Sequence, residues 1–493
     1  MLIAISCAFI FCRFLYPGDT IFVSDEPNFQ LHLDHYKTMG KIPFTNFRGS
    51  SLSFPYGSGA IYFYWPIRLL TNWPQITVLY HIFFVSLSLL FLFLALCRLF
   101  GRRPAAWALL IASTSPLLFL YSRHAWDNAL LCTVSALLLY LFVLIEDKNY
   151  SFRQKNFLFF LIGLVVGYGL VIHLMFGPVA VASALTVGYF TFCAKENFKT
   201  KFSIILCFGL GCAVFALPYL WEAVQVVAQE KPLEHSKFHT RWGDGRNLWW
   251  TFQRTMIFFS LWGSRIYFWG IYPSFQQFVG NFVDFFFRID LFGWLGKLAG
   301  WTLPFYVLTK IVRGKNISLA FVLAMFSFFI TIFTLNIANI PTEPHYYNSV
   351  WWIVFLGFAW ALTVLGKIPQ KVLLVTALCT AVVNSAFLLT SAIYVHQNSG
   401  ARNMNYSTIL HAQQEAVTDF CNRMENSKWL EASLNISKVF LQPYSIRYHL
   451  NHLPECQGKR VVIDSESSTH NCRFHYPENS ITSARLELAC LDH

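Results

Sequence analysis

Apolar runs of roughly 17–22 residues recur along this chain, each long enough to cross a hydrocarbon layer as a helix. They lie near 1–16, 76–97, 105–121, 128–145, 157–172, 174–192, 202–221, 292–311, 318–337, 350–366 and 372–394. Backbone inside a bilayer must satisfy its own N–H and C=O groups, so these runs predict an all-α polytopic membrane protein of about eleven transmembrane helices. Only 13% of residues are charged against 55% hydrophobic and 18% aromatic, which excludes an ordinary soluble chain.

The formal charge of +12 is mostly a topology signal. With eleven spans, the loops carrying Arg98, Arg102 and Arg103, then Lys148, Arg153 and Lys155, then Lys195, Lys199 and Lys201, then Lys310, Arg313 and Lys315, and finally Lys367 and Lys371 all fall on one side. The positive-inside rule makes that side cytoplasmic, and nucleic acid is not an expected partner. Residues 255–275 and 275–294 are aromatic but interrupted by Arg265, Asp284, Arg288 and Asp290. They are expected as amphipathic helices in the outer interface, although two crossings together would keep the same parity. Arg13 is expected to snorkel from the first span. That span reads as an uncleaved anchor, with a signal peptide as the competing reading.

This topology places residues of about 17–75, 222–291, 338–349 and 395–493 outside. The composition turns polar near 395, dividing the chain into a membrane part, 1–395, and a small α/β domain, 396–493. Within the latter a helix is expected near 406–424, with Ser407 as its cap, and strands at 437–442 and 459–464. Cys421, Cys456, Cys472 and Cys490 suit two disulfides in an oxidising compartment, with three pairings open.

Chemistry is expected in the outer loops. Ser24-Asp25-Glu26-Pro27 places two carboxylates just beyond the first span, where charge is costly unless solvated or used. Ser24 or Asp25 also fits a helix cap with Pro27 in the first turn. The same loop carries Arg48 and Ser53-Phe54-Pro55-Tyr56-Gly57 ahead of an aromatic stretch. Ser122-Arg123-His124-Ala125-Trp126-Asp127 is a tight turn with a cation and a carboxylate; its plainer reading is a snorkelling Arg123 and a helix-capping Asp127. Pro344-His345-Tyr346-Tyr347 precedes a late span, where tyrosines are ordinary belt residues and His345 is a donor suited to a phosphate oxygen. His32, Asp34 and His35 could bind a divalent cation, but their spacing is not diagnostic and no metal or cofactor is assigned.

In order and sidedness these pieces resemble the GT-C superfamily of integral-membrane glycosyltransferases, nearest its protein O-mannosyltransferase and lipid A aminoarabinose transferase branch. The resemblance covers about 1–395 and rests on Asp25-Glu26, Phe54-Pro55-Tyr56-Gly57, Ser122 to Asp127, and His345-Tyr346-Tyr347. It implies transfer of a sugar from a polyprenyl-phosphate donor to a lipid, glycan or protein acceptor at the outer face, with inversion. Asp25 would be the base, with Glu26 the other candidate. The departing lipid phosphate needs positive charge or donors, and Arg48, Arg123, Asp127, His345 and Tyr346 are the groups expected there, with Arg123 and His345 in family-like segments. Two departures stand out: the first loop has no DxD motif, and His173 stands where relatives often carry lysine. The alternatives are a polytopic transporter or flippase, for which no internal repeat is evident, and a non-enzymatic envelope assembly protein. A bacterial inner membrane is the expected location, with the C-terminal domain periplasmic.

Overall fold

The computed structural model describes residues 1–22, 25–48, 55–147, 149–193, 197–229, 251, 278–280, 306, 317–337, 344–401, 407–427, 431–435, 443–463, 470–475 and 485–492. The chain is mainly helical and is an integral membrane protein. Among the described residues seven helices are long and apolar enough to cross a membrane, or eight with one bent pair. These are α4 (Pro74–Phe100), α7 (Asp127–Ile145), α8 (Phe152–Ile172), α9 (Gly177–Cys193, preceded by a 3-10 turn at Leu174–Phe176), α10 (Phe198–Gln229), α11 (Leu319–Ile337) and α13 (Lys367–Gln397). The bent pair is α5 (Arg102–Ser113) and α6 (Pro116–Arg123), and α1 (Leu2–Cys12) and α12 (Trp352–Val364) are shorter apolar helices. The expected span at 292–311 and the interfacial segments at 255–294 lie outside the described residues, apart from 278–280.

Two local devices shape the bundle. Pro116 lacks an N–H and forces a bend of 62° between α5 and α6, leaving carbonyls without their helical donors. Arg13, fully buried, donates to Ser113 O at 3.2 Å and Leu118 O at 3.3 Å across that break. The residue expected to snorkel is thus turned inward, because the broken helix offers it acceptors. The second device is close packing of α8 on α10. A methyl group on Gly163 would meet Phe208 O at 2.1 Å, and one on Gly211 would meet Phe160 O at 2.2 Å. Gly163 and Gly167 form the small-xxx-small pattern that lets membrane helices approach backbone to backbone.

The first loop folds as α2 (Asp25–Met39), a two-stranded ribbon of β1 (Thr45–Arg48) and β2 (Pro55–Gly57), and α3 (Gly59–Leu70). Glu222 of α10 holds the ribbon, accepting from Phe44 N at 2.7 Å and Thr45 Oγ1 at 2.8 Å.

The C-terminal region has a short ribbon, β3 (Gly400–Ala401) with β4 (Ser407–Thr408), then α14 (Leu410–Asn426), β5 (Glu431–Asn435), α15 (Pro443–His452), β6 (Arg460–Ile463), β7 (His470–His475) and β8 (Glu487–Asp492). The four last-named strands form one sheet in the order β6-β5-β7-β8, with only β7–β8 antiparallel. The helix starts later than the sequence suggests, at Leu410 with Ile409 as its cap residue, because Ser407 is drawn into β4. A strand occupies 431–435, while 437–442 lies outside the described residues. Disulfides join Cys421 to Cys456 and Cys472 to Cys490, selecting one of the three pairings.

This region is bound to the first loop. Leu410 N and His411 N donate to Thr20 O and Gly18 O at 3.1 and 3.0 Å. Arg68 of α3 binds Asp34 of α2, at 2.7 Å from Nε, and the Tyr448 hydroxyl at 3.1 Å. His452 reaches the other Asp34 oxygen at 2.9 Å. Asp34, a cation-ligand candidate by spacing, is therefore engaged in an ion-pair clamp between elements.

Candidate active site

Glu26 lies in the first turn of α2 and is 2% exposed, with its carboxylate Oε1 in contact with His124 Nε2. His124 follows α6 directly, so the α6–α7 turn closes over the start of α2. The His124 ring lies 5.2 Å from Trp126, and Trp126 lies 4.8 Å from His345, whose ring is 4.1 Å from Tyr346. These distances bring together three segments that the sequence singles out separately.

A second layer of imidazoles supports the first. His173, between α8 and the 3-10 turn, accepts from Met175 N at its Nδ1 (3.0 Å). Its Nε2 therefore carries the hydrogen, and the Asn128 amide 3.2 Å away must present its oxygen to accept it, so its oxygen and nitrogen are assigned in that sense. Tyr56 of β2 stacks on His173 with ring centroids 5.0 Å apart. His81 of α4 lies between the Tyr64 hydroxyl and Tyr121 O, with Nε2 2.9 Å from that carbonyl. The carbonyl needs a donor, so Nδ1 is left to accept from Tyr64. Tyr64 lies within electrostatic reach of both Asp127 and Glu26.

Asp127 opens α7 and accepts from Asn128 N at 2.7 Å, so it has a local structural role. Arg123 donates to Tyr16 O at 2.6 Å and Asp19 O at 3.3 Å, and its own carbonyl accepts from Thr20 Oγ1. It pins the chain after α1. The backbones of Asp25 and Arg48 are placed on α2 and β1, and their side chains lie outside the described set. Among the described residues no group of three or more His, Cys, Asp or Glu side chains is arranged to hold a metal ion. His81, His124, Tyr64 and Asn128 were not legible as site residues, although a histidine inside an apolar helix is a functional signal in its own right.

Burial pushes the His345 imidazole down to about 3, helped by His173 and His124, and that of His173 down to about 4. Both rings are neutral in the fold, yet in an unfolded chain they would take protons below about pH 6.5. Stability they contribute is complete above that pH and is lost as pH falls through about 4 for His173 and about 3 for His345. Thermal unfolding in detergent should show a level midpoint from pH 7 to 8 and a steady fall below about 6.5. A His173→Asn/His345→Gln variant should show a shallower fall, and an equally steep one would refute this assignment.

No family model matches the chain, and comparison with curated proteins gives no match. Among solved structures, ArnT from Cupriavidus metallidurans in the apo state aligns over 97% of this chain and 93% of its own, with a TM-score of 0.53 at 13% identity. The chain has the fold of ArnT. ArnT bound to undecaprenyl phosphate aligns at a TM-score of 0.48 and 14% identity, over 97% of this chain and 92% of its own. The apo oligosaccharyltransferase from Archaeoglobus fulgidus aligns at 0.48 and 12% identity, over 95% of this chain and 64% of its own. The fold that the sequence resemblance leads one to expect is the fold observed. The ArnT-like match extends past residue 395 into the C-terminal sheet region, for which the sequence offered no recognisable counterpart.

Proposed function

We propose that this chain is a glycosyltransferase that passes a sugar from a polyprenyl-phosphate donor to an acceptor at the outer face of a bacterial inner membrane. The observation that carries the reading is the buried Glu26–His124 contact at the start of α2, beside His345 and Trp126, in a chain with the fold of ArnT. The ligand in the undecaprenyl-phosphate complex of ArnT is a polyprenyl phosphate, which supports the donor class. On this reading residues 1–395 form the catalytic part with about eleven spans, and 396–493 an extracytoplasmic domain that bears on acceptor choice.

The acceptor hydroxyl is a poor nucleophile near neutral pH, and a carboxylate placed beside it takes its proton as oxygen attacks the anomeric carbon. The Glu26 carboxylate is already held by His124, which leaves the other carboxylate of the pair for proton transfer. We assign Asp25 as the base and Glu26 as the residue that fixes the N-terminal turn of α2. The anomeric C–O bond breaks as the new one forms, so configuration inverts and the electron pair leaves with the lipid phosphate. Donors at that phosphate stabilise the developing charge. His345, Tyr346 and Arg48 are assigned to it, while Arg123 and Asp127 hold the surrounding backbone.

The test uses purified protein in vesicles with a set of polyprenyl-phosphate sugars. Transfer or slow donor hydrolysis should appear with at least one donor, and the product's anomeric configuration should be opposite to the donor's. Retained configuration, or transport of the intact lipid without bond cleavage, would overturn the reading.

A further inference from the structure

A cavity of about 710 Å³ opens between the start of α4 and the C-terminal region, and none of its lining residues belongs to the Glu26–His124 cluster. One wall is Trp73, the residue before α4, which is 68% exposed. The other carries Glu415 and Asp419 of α14 and Glu455, with Arg485 the one guanidinium among the described lining residues. Gln75 and Gln414 are hydrogen-bonded to each other from the two sides. The Tyr448 hydroxyl donates to Asn72 O at 2.8 Å, so the walls are held together. His449 of α15 also lines the cavity. It is 1% exposed, and among the described residues its Nε2 has no hydrogen-bond partner.

We propose that this cavity binds the carbohydrate chain of a neutral or amino-bearing glycan. Its volume falls within the roughly 300–1,000 Å³ usual for small-ligand sites. An exposed indole offers an apolar, electron-rich face on which the C–H face of a pyranose can stack, and which also attracts a cationic amine. Carboxylates and side-chain amides accept from and donate to paired hydroxyls. Among the described lining residues three carboxylates face one guanidinium, a balance that repels phosphate and sulfate and selects against a phosphorylated ligand.

Taken with the proposed function, the glycan is the non-reacting part of the acceptor. His452 lines the cavity, and its Nε2 lies 2.9 Å from Asp34 of α2. Roughly 14 Å of helix rise separates Asp34 from Asp25. Occupancy is thereby connected through one rigid helix to the catalytic end.

Binding is measured by calorimetry on the full-length protein in nanodiscs. The probes are a glucosamine tetramer, its fully N-acetylated neutral form and a 6-phosphorylated disaccharide. At least one of the first two should bind, and the phosphorylated probe should bind more weakly. Trp73→Ala, and separately Glu415→Gln with Asp419→Asn, should weaken that binding by about tenfold or more without changing the thermal midpoint. No binding of either tetramer up to about 10 mM, preference for the phosphorylated probe, or unchanged binding in both variants would overturn the proposal. None of these readouts needs sugar transfer, so a failed transfer assay would sink the proposed activity and leave this test intact.

Discussion

Asp25→Asn should lower sugar transfer by about 10²–10⁴-fold while leaving the thermal midpoint and donor binding close to wild type. The amide keeps the shape of the side chain and removes only its capacity to take a proton. Glu26→Gln should fail differently. Its carboxylate is buried against His124, so replacing charge by an amide weakens a contact between α2 and the α6–α7 turn, which are 98 positions apart in the chain (124 − 26). Destabilisation of about 1–3 kcal/mol is expected, with transfer reduced through misplacement of the helix. Kinetics and unfolding measured on both variants separate the roles. An active Asp25→Asn beside a stable but inactive Glu26→Gln would move the base to Glu26 and refute the ranking.

Gly57→Ala should be the most disruptive single methyl group near the site. A Cβ there would lie 2.3 Å from Val171 O and 2.8 Å from Val171 Cα, which are backbone atoms at the end of α8 with little freedom to yield. Gly59 is similarly confined, 2.6 Å from Ile172 N. The added carbon must push β2 away from α8, separating Tyr56 from His173 and straining the Tyr219 hydroxyl bond to Pro55 O. Overpacking of this kind costs about 1–3 kcal/mol or more, and transfer should fall with the loss of the His173 support. Gly188→Ala is the control, since a methyl group there meets nothing within 4 Å and a helical alanine is favoured over glycine. A Gly57→Ala protein as stable and active as wild type would show that the close approach of β2 to α8 is dispensable.

The membrane helices were legible because hydrocarbon imposes a length and a composition that a single segment carries alone. The family-like pieces were legible too, as short motifs in a particular order. Their mutual arrangement was not, since the His124 contact depends on where α6 bends, and that bend is held by an arginine from the first segment. Arg123 shows the same limit. By type and position it suits a phosphate, yet backbone carbonyls of Tyr16 and Asp19 lie within its reach in the fold. The role of the glycines at 163 and 167 follows from a recognisable pattern, but the partner helix α10 does not.

By itself, the sequence determined that this chain crosses a membrane repeatedly, that a polar cysteine-bearing region follows, and that acidic and histidine-bearing turns cluster beyond the spans. Those properties reside in local composition and in the spacing of residues along one helix. The tertiary structure decided that Glu26 is tied to His124, which cysteines join, and that the C-terminal region meets α4 around a polar cavity. Each is a contact between residues far apart in the chain, set by helix bends and close backbone packing.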